Sequence, residues 1–348
     1  MKSFLILVLT VLATITSTAQ STKAIWALYN QKQYAQTIES GLKALKHQPY
    51  NGEINLAVGR SYFDTQQYDK AIHHLQLSTK TNNLDWVRGW AYNYLGQCHG
   101  ELKDEQTAQH YFKKCITLNA TKNSVASSKR LLNSLKTKEY LETWYKYETE
   151  HLIFHFQDTS AIDNIQDYMR VREIAYENIN VFFEALPFKK IDYYIWAKPN
   201  DAEKLLGRTL GWASPKSCTI HSSIHQTRGH EITHILCFYG MKPTYPSRLI
   251  NEGIAVYFDQ TNRDYMKVAQ KHLDGQKLDV LTYWENPKTW SDEYNYTVGG
   301  ALIECLYKHG NAEQMKALLA NQSIESARKI YPAFDQIMDA FQQELNNR

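Results

Sequence analysis

One helical hairpin recurs along the first third of the chain, and that recurrence limits the possible folds more than any other feature. Tyr34-x-x-Thr37-Ile38 returns 34 residues later as Tyr68-x-x-Ala71-Ile72, and 37 residues after that as Glu105-x-x-Ala108. Leu75 and Phe112 follow the small residues by four positions, while Gly59-x-x-Tyr62 and Gly96-x-x-His99 precede them by twelve. Helical spacing of apolar residues runs from about Thr22 to Leu135. A single hairpin of this size cannot bury its own apolar face, so successive copies must stack on one another. The pattern predicts an all-α repeat domain over 22–135.

That unit resembles the tetratricopeptide repeat (TPR), with two clear copies and a degenerate first one. The resemblance implies a concave helical surface that holds a peptide or protein partner; hairpins that merely brace the following domain are the alternative. With 348 residues the chain exceeds one typical domain, so a second is expected. Its 39 basic and 36 acidic residues leave a net charge of +3, without the concentrated basic surface that nucleic-acid binding requires. The cysteines (Cys98, Cys115, Cys218, Cys237 and Cys305) show no C-x-x-C spacing, which argues against a thiolate zinc site and a disulfide framework. Cys98 and Cys115, on neighbouring helices of one hairpin, are either a bridge or two buried free thiols.

Residues 1–20 read as a secretory signal peptide. Lys2 supplies the positive end, Phe4 to Ile15 the apolar run, and Ser17-Thr18-Ala19 a small-residue cleavage site. Twelve apolar residues fall short of the roughly 20 that span a bilayer, and no later segment approaches that length, so the expected location is the periplasm or the cell exterior. Past a charged helical stretch near Lys136 to Glu150, alternation at His151–Phe156 and Ile191–Trp196 predicts strands, with a helix from Ile162 to Phe183 between them. Cys218 to His221 adds a short strand, and the chain turns helical after Thr227. The fold class expected is α+β: the helical repeats, then a domain over 145–348 with a small mixed sheet and helices.

His230-Glu231-Ile232-Thr233-His234 is an H-E-x-x-H sequence on a predicted helix, whose four-residue separation turns both imidazoles to one face. Catalytic zinc takes three protein ligands and leaves one position open. The candidate third arm is Glu252, separated from His234 by seventeen residues, in Leu249-Ile-Asn-Glu-Gly-Ile-Ala255. A helix, a loop containing Pro243 and Pro246, and a returning helix would bring it beside the histidines.

From Tyr147 to Leu319 the sequence resembles the gluzincins, specifically the peptidase MA-like domains related to the M1 aminopeptidases, which pair H-E-x-x-H with N-E-G-x-A. The resemblance implies Zn2+ held by His230, His234 and Glu252, with Glu231 as the general base for a zinc-activated water. It also implies that Tyr296, ahead of Gly299-Gly300, assists the tetrahedral intermediate, with Tyr294 as the neighbouring alternative, and that Asp259 orients a ligand histidine. The glutamate-bearing strand that binds an amino terminus in the aminopeptidases is missing; Gly211-Trp-Ala-Ser-Pro215 and Ser217 to Ser223 occupy its place. His221 and His225 are left outside the metal shell, as substrate-side or structural residues. The expected protein is an exported zinc metallopeptidase acting on a peptide or protein substrate. The alternative is a TPR-based binding or assembly protein with an inactive, metal-binding second domain.

Overall fold

The computed structural model describes residues 22–261, 263–286 and 291–347, so the signal-peptide reading lies outside the described residues. The chain divides into two compact units between Tyr140 and Leu141. The first holds α1 (22–30), α2 (Tyr34–Leu45), α3 (Gly52–Asp64), α4 (Tyr68–Ser78), α5 (Asp85–Glu101), α6 (Glu105–Leu118) and most of α7 (Lys122–Glu142). Packing is sequential: α2 meets α3, α3 meets α4, and so on to α6. Each hairpin turn carries one left-handed residue, Lys32, Gln66 and then Lys103, spaced by the same 34 and 37 residues as the sequence repeat. The paired helices approach where the motif places small residues. A Cβ on Gly59 would sit 2.8 Å from Leu75 Cγ, and one on Gly96 2.5 Å from Phe112 Cε1. Ala71, Leu75, Ala108 and Phe112 are buried. All five cysteines are free thiols.

The second unit is α+β. Its five-stranded mixed sheet comprises β1 (Tyr145–Glu148), β2 (Leu152–Phe156), β3 (Ile191–Trp196), β4 (Trp212–Ser214) and β5 (Thr219–Ser223), in the order β1-β2-β3-β5-β4. The central β2, β3 and β5 run parallel, and both edge strands pair antiparallel. Helix α8 (Ile165–Phe183) makes the crossover from β2 to β3, as parallel pairing requires. Alternation puts Leu152, Phe154, Phe156, Tyr193, Ile195 and Ile220 into a core shared with α8 and α10. The chain then continues through α9 (Pro199–Leu206), α10 (His230–Met241), α11 (Arg248–Tyr257), α12 (Tyr265–Leu273), α13 (Val280–Glu285), α14 (Tyr294–Lys308), α15 (Ala312–Ala320), α16 (Ile324–Ile330) and α17 (Phe334–Asn346).

Two local expectations differ. The charged stretch 136–150 is not helical throughout: α7 stops at Glu142 and Tyr145–Glu148 joins the sheet edge as β1. The strand expected at Cys218 starts at Thr219 instead, because Cys218 takes a left-handed conformation (φ 49°) where the preceding turn ends. No helix among the described residues is long and apolar enough to cross a membrane.

Candidate metal centre

The H-E-x-x-H residues form the first turn and a half of α10, and the fifth, His234, lies one turn beyond His230 on the same face. Left-handed Lys242 ends the helix, and the loop through Pro243 and Pro246 turns the chain into α11, which packs back on α10. Glu252, in the middle of α11, thereby reaches both imidazoles. One carboxylate oxygen, Oε2, lies 3.3 Å from His230 Nε2 and 3.3 Å from His234 Nε2. One ligand atom from each residue falls within a 4.8 Å cluster. Bonds of about 2.0–2.2 Å in a tetrahedral shell give ligand–ligand edges of about 3.3–3.6 Å, so the two N–O separations of 3.3 Å suit a zinc ion. The donor set of two imidazoles and a carboxylate, each side chain at most one-fifth exposed, fits that metal.

The Glu252 carboxylate faces both imidazoles as an ion-pair partner. Burial pushes the Glu252 carboxyl up, but hydrogen bonds with His230 and His234 outweigh it and hold the group well below the usual carboxylate range. Burial pulls His234 down, yet the Glu252 hydrogen bond and the charges of Glu231 and Glu252 leave it raised.

Glu231 points into the same site and is only 2% exposed. Its Oε1 accepts a long hydrogen bond, 3.4 Å, from Gln226 Nε2, and its Oε2 has no hydrogen-bond partner. Burial raises its pKa, opposed by the nearby histidines and reinforced by Glu252. A buried carboxylate oxygen without a donor costs stability, and such groups concentrate where chemistry uses them.

Tyr296 comes from the first turn of α14. Its ring stacks on His230 at a centroid distance of 5.8 Å, and the Arg248 charge opposes the rise in its pKa. Burial, then the Glu252 charge, raises its pKa, so the hydroxyl stays protonated and able to donate. Tyr294, the alternative, turns away: its hydroxyl donates to Gln276 Oε1 at 3.2 Å and its ring packs on His272 and Tyr283. The crossing of α11 and α14 sets these positions. A Cβ on Gly253 would lie 2.5 Å from Gly299 O, and one on Gly299 2.6 Å from Leu249 O, so only glycines allow the approach.

Asp259 requires a correction. Position 259 lies beyond the end of α11, and its buried carboxylate binds Arg263 Nη2 at 2.6 Å, the Thr261 amide at 2.9 Å and the Thr261 hydroxyl. It bonds neither His230 nor His234 and instead fixes the turn leading to α12. Its backbone carbonyl accepts from Gly229 N, at the start of α10, at 3.3 Å. His221 is structural: its Nδ1 accepts from Trp196 Nε1 at 3.0 Å and its ring is stacked between Tyr194 and Trp212. His225 lines a separate surface cavity beside Arg172 and Gln226.

A cavity of about 580 Å³ opens over the cluster, bordered by Trp212 and Ala213 of edge strand β4, by Phe238, and by Arg248. Arg248 was missed in the sequence although it lies four residues before Glu252, hence on the same helix face; it pairs with Asp292 at 2.8 Å. Gln226 and Trp212 reach the site from a loop and a three-residue strand, for which no local pattern exists.

Residues 91–122, spanning the end of the α5 hairpin arm, α6 and the start of α7, match the tetratricopeptide repeat. That match suggests a protein-interaction role for the first unit. No curated protein matches the chain.

Proposed function

We propose that the second unit is a zinc-dependent peptidase of the gluzincin type, and that the repeat unit recruits a protein partner or substrate. The observation that carries this reading is the convergence of His230 and His234 on Glu252, each at 3.3 Å from its Oε2, beside a buried Glu231 with an unpartnered oxygen. Zinc in such a site acidifies a bound water and polarises a carbonyl. The chain's own residues then have separate tasks. His230, His234 and Glu252 would hold the ion; Glu231, at Oε2, would take the proton of the attacking water and deliver it to the leaving amine. The Tyr296 hydroxyl donates to the developing oxyanion. Edge strand β4, along the cavity, offers backbone groups to an extended peptide, which supports a peptide substrate. The leader-like residues 1–20 support export, so the peptidase would act in the periplasm or outside the cell.

The test is metal analysis of the purified chain together with digestion of an unbiased peptide library. Stoichiometric zinc at neutral pH and cleavage by the wild-type chain are expected, with Glu231→Gln keeping the metal and losing turnover by a factor of about 10³ or more. Absence of zinc, or loss of metal in Glu231→Gln, refutes the assigned roles. Zinc bound without any cleavage favours the second reading, a TPR-based binding or assembly protein with an inactive domain, which the repeat match supports on its own.

A further inference from the structure

Helices α1, α3 and α5, the first arms of the three hairpins, share an aromatic surface with one cation at its centre. The Arg60 guanidinium carbon lies 4.6 Å from the Tyr29 ring centroid, 4.8 Å from Tyr94, 5.4 Å from Trp90 and 5.5 Å from Trp26. The rings also contact one another within each helix, Trp26 with Tyr29 on α1 and Trp90 with Tyr94 on α5, and Arg60 of α3 faces both pairs. Four aromatic neighbours restrict the guanidinium and shield its faces from water, which strengthens any interaction it makes.

The expected partner of Arg60 is engaged elsewhere. Asp64 lies four residues on along α3, the spacing at which helical ion pairs form. Its carboxylate instead accepts from the Tyr29 hydroxyl at 2.8 Å, while Arg60 Nε donates to that same hydroxyl at 3.1 Å. Among the described residues Arg60 has no ion pair, and neither terminal nitrogen makes a hydrogen bond. The guanidinium carries five N–H donors, so four remain, arranged as the fork that grips a carboxylate through two parallel bonds.

We propose that this boxed arginine is the anchor of a docking site for an acidic protein segment. An aspartate or glutamate side chain of a partner is held by the Arg60 fork, with its flanking apolar residues against Trp26, Trp90 and Tyr94. Charge complementarity selects the carboxylate, and the composition matches that of binding hot spots, where tryptophan, tyrosine and arginine predominate. A nucleic-acid backbone fits poorly, because the box offers one cation where phosphates need a series. The proposal deepens the partner-binding reading of the first unit and is independent of the zinc site.

A phage-displayed library of random internal peptides, selected against the full chain carrying Glu231→Gln so that nothing bound is cut, tests it. Selected sequences should concentrate Asp or Glu at one position, and a synthetic, C-terminally amidated consensus peptide should change tryptophan emission saturably. Arg60→Gln should weaken that binding about tenfold or more, with Arg60→Lys between it and the wild type. Circular dichroism and melting report whether Arg60→Gln is folded. Should it not fold, Glu→Gln or Asp→Asn in the peptide must give the same loss on the unaltered surface. Failure to select any binder, selection without acidic enrichment, binding that survives Arg60→Gln or the amide peptide, or binding only to peptides with a free terminal carboxylate overturns the proposal.

Discussion

A methyl group at residue 253 should pull the candidate metal centre apart. The Cβ of Gly253→Ala would lie 2.5 Å from Gly299 O, 2.6 Å from Gly299 C and 2.9 Å from Gly299 Cα. All three are backbone atoms of the facing helix, so no side chain can rotate away. An ordinary carbon–oxygen contact is about 3.3 Å, and α11 and α14 must therefore separate by about 0.8 Å. Overpacking of this kind costs about 1–3 kcal/mol, and a unit of this size loses roughly 2–4 °C of melting temperature per kcal/mol. For 2 kcal/mol the fall is about 4–8 °C. Glu252 is the adjacent residue, and metal–ligand distances tolerate only about 0.2 Å, so zinc affinity should drop by about 10–100-fold or more. Thermal unfolding of the metal-free chain and zinc titration against a competing chromophoric chelator read the two effects separately. Gly100→Ala, where nothing lies within 4 Å of the added Cβ, is the control and should melt at or slightly above the wild-type temperature. A Gly253→Ala variant that melts like the wild type and binds zinc equally well refutes the close crossing as the device that places Glu252.

Glu252→Ala should abolish stoichiometric zinc binding while the far-ultraviolet circular dichroism stays that of a helical protein; undiminished zinc by elemental analysis would remove Glu252 from the ligand set. Asp259→Ala strands the Arg263 guanidinium and the Thr261 donors, and should destabilise by about 1–3 kcal/mol in denaturant unfolding, with zinc affinity changed less than tenfold. A larger loss of zinc affinity than of stability would restore the orienting role. Acid should weaken the second unit through His221, whose pKa burial, followed by the charges of Arg208 and His155, pulls down to about 3. The unfolded chain takes up that proton near pH 6.5 and the folded chain only near 3, so the stability is complete above 6.5 and is lost as pH falls through that window. Linkage puts the loss at about 2 kcal/mol at pH 5. Unfolding curves across this range should be flatter for His221→Phe, and an equal slope would refute the assignment.

The parts of the fold that were legible in sequence are those in which the chain's own spacing carries the signal. Leu152, Phe154 and Phe156 alternate because one face of β2 enters the core, and Ala71/Leu75 and Ala108/Phe112 recur because each pairs with a glycine on the facing arm. β1 was not legible: it is an exposed edge strand inside a charged run, and its pairing with β2 rather than its own pattern makes it a strand. The site divides in the same way. The i, i+4 histidines follow from helix geometry alone, whereas Gln226 and Trp212 arrive through the loop and sheet edge. Asp259 misled because the resemblance alone carried its role, and the local turn decides where its carboxylate points. α11 ends at Tyr257, and the two residues beyond it turn the carboxylate toward Thr261 and Arg263.

Glu231 and Glu252 show why the unsatisfied group belongs where it is. Both carboxylates are enclosed by the same helices and feel the same desolvation, which by itself raises both. Glu252 has two imidazoles within 3.3 Å and is held in its charged form, as a ligand must be. Glu231 has one long hydrogen bond from Gln226, none at Oε2, and remains raised. An amide donor to Oε2 would satisfy it and add stability, but it would also occupy the oxygen that must accept a proton. Two neighbouring carboxylates with environments that push their pKa values apart are what the proposed hydrolysis requires of a ligand and a base. The local cost at Oε2 is then the consequence of keeping that base free.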